Sequence, residues 1–366
     1  MLLEGNIHLS SDLRRLGFVK IFVFLTRPVS ATYTKDLLQR YKGEVSNHRD
    51  DDQWLTDEER SRNFKGKGIG KKIDVVENNH LELAKSLSFL RSNNSWSRFG
   101  YLYASLYSDE AGTPCFFKPE KLQEILVRKG LVAHFELEEK VVFASALLTA
   151  DIDGSASLLT YLLGEERGMS EIIGAYRNGI LDTWYTRKKQ FEPDPKKRYK
   201  YSQILKQKSS KIHFREQVQP RLQFMTDLDL VSGDGRFRLT GKGASLALAL
   251  QISSAGDRSS EIVPLALRSE IHLWNEIVKL YSEGLGTTDK DQLDKAFVHA
   301  SRFYARMGMI LFSYENVFLA TAATALRNGT SLDLSSFERY TAEMVSQKRI
   351  VVSDTGRREK YIKILR

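Results

Sequence analysis

A single cysteine among 366 residues excludes a disulfide framework and any centre built on several thiolates. Cys115 itself reads as a small buried hydrophobe, and a reducing, cytoplasmic setting is expected. The seven histidines (7, 48, 80, 134, 213, 272 and 299) stand far apart, without metal-ligand spacing. Long apolar runs are missing too. The most apolar early stretch, Phe18 to Leu25, is short and carries Lys20, well below the roughly 20 residues that span a bilayer, so it reads as a core helix and no membrane partner is expected. No nucleophile elbow or kinase-type set of motifs occurs.

Three stretches imitate chemical motifs and fall short. Gly66, Gly68 and Gly70 suggest a phosphate loop, but Gly70-Lys71 is followed by Lys72 where serine or threonine belongs, and no hydrophobic strand precedes it. Asp151-Ile152-Asp153-Gly154-Ser155 opens like a calcium loop, yet its twelfth position is Leu162 instead of a bidentate glutamate. Helix capping is the better reading. Glu138-Glu139-Lys140 contains the acid-x-lysine element of some metal-dependent nucleases, but it begins a helical stripe and not a strand. These absences lead us to expect a protein that is not an enzyme and carries no metal or cofactor.

What the chain does have is concentrated positive charge. Between Arg187 and Arg221 lie twelve Lys/Arg against three acids (Glu192, Asp194, Glu216), a surplus equal to the formal net charge of +9 of the whole chain. Trp184, Tyr185, Tyr199 and Tyr201 are interleaved with these cations. Such a run serves either as a polyanion-facing surface, with rings stacking on bases, or as a solvated charged linker with its aromatics in a core. A second charged stretch, 43–75, holds an acidic block (Asp50, Asp51, Asp52, Asp57, Glu58, Glu59) and a basic one (Arg60, Arg62, Lys65, Lys67, Lys71, Lys72) and reads as an insertion.

Periodicity organises the rest. Leu13–Leu25 and Lys35–Tyr41 read as two helices separated by a proline stop and a polar turn. Leu81, Leu83, Ala84, Leu87 and Leu90 continue a helical pattern, and the aromatic run Phe99–Leu106 after Asn93-Asn94 reads as a return strand. Residues 116–163 are helical in character, with Asp153 available as a cap. Pro220 suits the first turn of a helix carrying Leu222, Met225 and Leu228 on one face. Ser232-Gly233-Asp234-Gly235-Arg236 makes a turn between short strands, and Thr240 can cap the Ala/Leu-rich helix that follows. Near the C-terminus, helices around 261–282, 291–311 and 315–328 precede Ser335 and Glu338, which have capping-box spacing. A hairpin follows over Ile350–Val352 and Tyr361–Ile364.

The run Leu228, Leu230, Val231, Leu239, Thr240, Gly243 resembles the winged-helix pattern, in which a helix ends on alternating leucines, turns through a hairpin wing and closes on leucine, threonine, two residues and glycine. Members often have glycine where this chain has Asp229. Leu87-Ser88-Phe89-Leu90 looks like a weaker copy. The resemblance implies a mainly α chain of tandem winged-helix units with small β-hairpin wings and a helical connecting region: 1–110 with the insertion, a connector over 111–168, a unit over 169–255, and a helical region over 256–366 ending in a further unit.

The same resemblance leads us to expect binding of nucleic acid, duplex DNA first, by a recognition or assembly subunit of a prokaryotic DNA-transaction or phage-defence system. The alternative is a non-catalytic scaffold whose winged helices bind partner proteins. For DNA, Gln217, Gln219, Arg221 and Gln223 are the expected exposed residues of the reading helix, with Arg236 and Arg238 on its wing. Arg187, Lys188, Lys189, Lys196, Lys197, Arg198, Lys200, Lys211 and Arg215 would meet phosphates, and Lys348, Arg349, Arg357, Arg358 and Lys360 would serve the C-terminal unit.

Overall fold

A computed structural model describes residues 15–29, 31–47, 73–128, 130–206, 214–233, 235–250, 270–354 and 360–365. Most of the 43–75 insertion and the glycines at 66, 68 and 70 lie outside them. The chain is mainly helical, with small sheets, and divides into two compact units. One comprises 1–16 and 144–280; the other comprises 17–143 and 281–366. Among the described residues no single helix is long and apolar enough to cross a membrane.

In the first unit, helix α7 (Ile152–Tyr161) leads into strand β1 (Arg167–Gly168) and helix α8 (Met169–Ala175). A π turn around Gly179 then opens a helical hairpin, α9 (Leu181–Phe191) and α10 (Pro195–Lys206). Helix α11 (Phe214–Asp227), strands β2 (Val231–Ser232) and β3 (Arg236–Leu239), and helix α12 (Gly241–Leu250) follow. The sheet has the order β1-β3-β2, antiparallel, with Arg167 opposite Phe237 and Val231 opposite Leu239. Leu222, Met225 and Leu228 are buried, as the helical spacing predicts, and so are Phe224 and Leu230. Pro220 does not start α11; it sits inside, and the helix begins upstream at Phe214. An internal proline removes one backbone donor, and the tightly packed surroundings hold the helix together across that gap.

The second unit starts with α1 (Phe18–Leu25), α2 (Thr34–Asn47) and α3 (Ile73–Ser86). A single antiparallel bridge, Leu90 with Trp96, stands where a hairpin would be, and the backbone N–H of Trp96 also bonds Arg27 O at 3.2 Å. Phe99–Leu106 is not a return strand. It forms α4 (Arg98–Ser105), an all-round buried helix, and such helices lack the amphipathic period that would betray them in sequence. After α5 (Pro119–Leu126) and α6 (Leu137–Ala150), which continues into the first unit, come the elements of the C-terminal stretch. These are α14 (Lys290–Arg306), β5 (Phe312–Ser313), α15 (Tyr314–Arg327), α16 (Leu334–Ser346), β7 (Ile350–Asp354) and β8 (Lys360–Ile364); β4 (Gly286–Thr287) pairs in parallel with β6 (Thr330–Ser331), and α13 (Glu270–Tyr281), which precedes them, belongs up to residue 280 to the first unit. The cap of α16 is Asp333, whose carboxylate accepts the Ser336 N–H at 2.6 Å, and not Ser335. Its sheet has the order β5-β8-β7.

The first and last stretches of the second unit pack together. Arg98 Nε donates to Asn316 Oδ1 at 2.8 Å, Ser108 Oγ lies 3.1 Å from His299 Nε2, and Arg327 reaches the Leu106 carbonyl.

One arrangement recurs three times. A helix ends in a left-handed residue: Ser88 (φ 57°), Asp229 (φ 54°) or Lys348 (φ 58°). The next N–H bonds the carbonyl five residues back, Phe89 to Ala84 (2.8 Å), Leu230 to Met225 (2.8 Å) and Arg349 to Met344 (2.9 Å), the pattern of a Schellman cap. That same residue's carbonyl then accepts an N–H from beyond the return segment: Ser97 to Phe89, Thr240 to Leu230, Leu365 to Arg349. In two of the three a glycine follows. A Cβ on Gly100 would stand 2.2 Å from Phe89 O, and one on Gly243 would stand 1.8 Å from Leu230 O, so the trailing helix can close on the cap only where there is no side chain.

Candidate nucleic-acid interface

Where it is described, over 187–206 and 214–221, the basic run of the first unit lies largely in helices α9, α10 and α11, and burial sorts its cations into two groups. Asp151 and Asp153, at the start of α7, hold the inner group. Arg221 from α11 is 0% exposed; its Nε and Nη2 donate to the two Asp151 oxygens, both at 2.7 Å, and its Nη1 donates to the Gln217 carbonyl at 2.7 Å and to Gln217 Oε1 at 3.1 Å. Burial works against the guanidinium charge, but the Asp151 carboxylate more than offsets it and holds the Arg221 pKa above its ordinary value. Gly154 makes the slot, since a Cβ there would lie 2.2 Å from Arg221 Nε. Asp153 accepts Trp184 Nε1 at 2.8 Å, Tyr185 Oη at 2.7 Å and Lys188 Nζ at 2.6 Å. The Lys188 ammonium also lies over the Tyr201 ring, 5.3 Å from its centroid. Burial, then Asp153, raises the Tyr185 pKa, and burial pushes Tyr176 up to about 12, so both phenols stay neutral hydrogen-bonding groups.

Arg221, Gln217 and Lys188 are therefore not the exposed contacts expected of them. Each is internal, because a carboxylate supplied from α7 satisfies the buried charge or the guanidinium beside it. Trp184 and Tyr201 are likewise committed to the interior, Tyr185 is half-buried with its hydroxyl on Asp153, and Tyr199, 67% exposed, is the most open ring of this run. Asp227 is buried as well, accepting the Leu16 N–H at 2.8 Å and pairing with Arg15.

The outer group remains. Lys189, Lys196, Arg198 and Lys200 are exposed, and Arg187 and Lys197 are half-buried. Asp194 starts α10 by accepting the Lys196 N–H at 2.8 Å, and Pro195 occupies its first turn. The helical spacing then sets Lys196, Tyr199 and Lys200 on one side of α10. Gln219 and Gln223 are half-buried on α11. Arg236 and Arg238 are exposed on β3 and, with Glu166, Ser232 and Gly233, line a cleft of about 370 Å³. Arg236 is tied to Glu166, donating to Oε1 at 3.1 Å and to the carbonyl at 3.0 Å, while Arg238 Nε reaches Ser232 Oγ at 3.4 Å. Lys211, Arg357 and Arg358 lie outside the described residues, as does the side chain of Arg215.

In the second unit Lys348, Arg349 and Lys360 are exposed at or beside the antiparallel β7–β8 pair. Arg349 faces Asp294 at 3.4 Å, and the Lys360 ammonium lies 5.8 Å from the Tyr314 ring centroid. The acid-x-lysine stretch has an interior task there. Glu139 is buried, accepting Lys20 Nζ at 2.7 Å, Tyr103 Oη at 2.8 Å, Tyr107 Oη at 2.6 Å and its own turn's Glu136 N–H at 3.1 Å. Burial opposes its charge, yet Lys20 and these donors hold its pKa below the ordinary carboxylate value. His80, buried and 3.2 Å from Tyr41 Oη, is pushed down to about 3 by burial and is neutral. Among the described residues no cluster of three or more His, Cys, Asp or Glu has the geometry to hold a metal ion.

Sequence reasoning did not find Asp151, Asp153, Lys20 or Glu139 as anchors. Their partners lie between 31 and 119 residues away, and no local pattern couples residues so distant. No family model, no curated protein and no solved structure matches this chain.

Proposed function

We propose that the chain is a nucleic-acid-binding protein built from three winged-helix repeats, and that it holds duplex DNA chiefly by its phosphates. The recurring cap, hydrogen bond and strand order support the repeat reading. The order in which the first strand pairs with the return strand occurs in both sheets that have three strands. In the first repeat Arg27, Trp96 and Leu90 stand in its place. The observation that carries the binding reading is the outer surface of the α9–α10 hairpin, where Lys189, Lys196, Arg198 and Lys200 are exposed around Tyr199. Cations so placed neutralise phosphates whatever the sequence, and an open ring beside them packs on sugar or base.

Base reading does not belong to α11, where every side chain described from Gln217 to Leu228 is buried or half-buried. Helix α16 is different. Ser335, Arg339 and Ala342 are exposed along it, so base contacts are assigned there. A specific feature also favours a role for protein partners: Ile310 and Leu311 are adjacent, apolar and 75% and 53% exposed, as at many protein contact sites.

The test is duplex binding across a salt series with Lys196, Lys197 and Arg198 changed to alanine. Binding to all duplexes should weaken alike, and the slope of log affinity against log salt should fall by about one unit for each lost phosphate contact. An unchanged slope rejects this surface.

A further inference from the structure

On the C-terminal repeat lies a groove of about 440 Å³, within the roughly 300–1,000 Å³ of ligand sites. Helix α14 gives one wall and the end of α16 with strands β7 and β8 gives the other. Its floor is apolar, with Val298, Met344, Ile350 and Ile364 among its residues, and Arg302, Lys348 and Arg349 stand exposed at its mouth.

Two independent observations point to an occupant. Ser301 lines the groove, is only 2% exposed, and its hydroxyl has no hydrogen-bond partner among the described residues. A buried hydroxyl left unpaired is costly, and a ligand that brings a backbone N–H or C=O relieves the cost. The mouth is also positive. Arg349 pairs with Asp294 at 3.4 Å, and Arg302 donates to the carbonyl of Glu110 at 3.3 Å, while Arg302 and Lys348 both stand exposed.

An apolar floor under a positive rim could suit a nucleotide or a peptide, and the rings decide between them. The lining's aromatic residue, Phe297, is buried against Phe337 and Tyr340. It presents no open face on which a base could stack. We propose that this groove binds a short acidic segment of a partner protein, seating one apolar side chain on the floor, its backbone on Ser301 and its flanking carboxylates on Arg302 and Lys348. This goes beyond the nucleic-acid reading and does not depend on it.

The probe is a fluorescein-labelled hexapeptide with a central Leu-Trp pair and two carboxylate residues on each side, titrated into the intact chain and followed by anisotropy. Saturable binding is expected, with methyl signals of Met344, Ile350 and Ile364 shifting in the same titration. The double reversal Arg302→Glu with Lys348→Glu, both at exposed positions, should weaken binding by about tenfold or more, as should replacing the peptide's acids with amides. Ser301→Ala, which keeps the volume of the site, should weaken it by a smaller factor. Absence of saturable binding overturns the proposal, as does binding indifferent to the charge reversal. So does an oligonucleotide that displaces the peptide and shifts the same methyl groups. The Lys196, Lys197 and Arg198 triple variant should bind the peptide normally, so loss of DNA binding and loss of peptide binding are told apart.

Discussion

Helices α11 and α16 end in the same cap and lead into sheets of the same order, yet their exposures are opposite. On α11 Arg221, Gln217 and Asp227 are all interior, tied to α7 and to the segment around Arg15. On α16 Ser335, Glu338, Arg339, Ala342 and Val345 face solvent. The same cap thus ends two helices of different exposure. On α11 the helix surface is filled by an internal ion pair, and the exposed cations of that unit include those on the α9–α10 hairpin. On α16 the helix surface is open. Position within a repeat does not by itself assign a residue's role; what neighbouring elements bring to the position decides it.

The largest effect should come from the ion pair. Arg221→Met leaves Asp151 buried without its partner, and loss of one member of such a pair costs about 3–5 kcal/mol. Arg339→Met on α16 should stay within about 0.5 kcal/mol, as exposed substitutions do. Urea unfolding of both variants measures the contrast, and equal losses would break it. Next comes binding. Arg339→Ala should cost about 1–3 kcal/mol on a preferred duplex and little on random DNA, whereas Gln223→Ala on α11 should be silent. Competition binding sharpens the comparison, and reversed effects would return base reading to α11. The smallest effect concerns the shared cap. Ser88→Gly removes the left-handed strain of a side chain and should raise stability by about 0.5–1 kcal/mol, read as a small upward shift of the melting temperature. A loss instead would mean that the serine side chain supports the turn.

Acid should also weaken the second unit through Glu139. Glu139 has a depressed pKa in the folded chain, so its contribution is complete above the unfolded value of 4.5 and is lost as pH falls through the folded one. Glu139→Gln should therefore flatten the acid limb of stability while leaving a buried amide beside Lys20. A limb unchanged in that variant would place the acid sensitivity elsewhere.

How much of this was legible in the sequence depended on distance along the chain. Thr240 accepts the Gly243 N–H at 3.1 Å and so starts α12 as its spacing implied, and the hairpin strands at 231–239 and 350–364 stand where turn residues and alternation put them. All of that is local. Asp229 in place of glycine was noticed as a departure, and its left-handed φ supplies the reason glycine suits the position. The failures are of two kinds. Phe99–Leu106 carries apolar side chains on every face, and a helix buried all round has no period to read. Arg221 looked like a surface cation because nothing near it hints at Asp151 or at the side-chain-free Gly154, some 70 residues upstream. A charge tally cannot tell a paired cation from a solvated one.

The second unit is assembled from two separated stretches, 17–143 and 281–366, with 144–280 of the other unit between them in sequence. During synthesis at about 5–20 residues per second, residues 17–143 emerge and then wait roughly 10–30 s before their partners from 281 onward exist. The buried contacts of α4 with the last stretch, Arg98 on Asn316 and Leu106 on Arg327, are unmet for all of that time. The first unit closes sooner, since both of its segments, 1–16 and 144–280, have been made by residue 280. On the ribosome it can be finished before the second unit is, and a chain released at that point would carry one folded unit and one whose α4 contacts have nothing to close against.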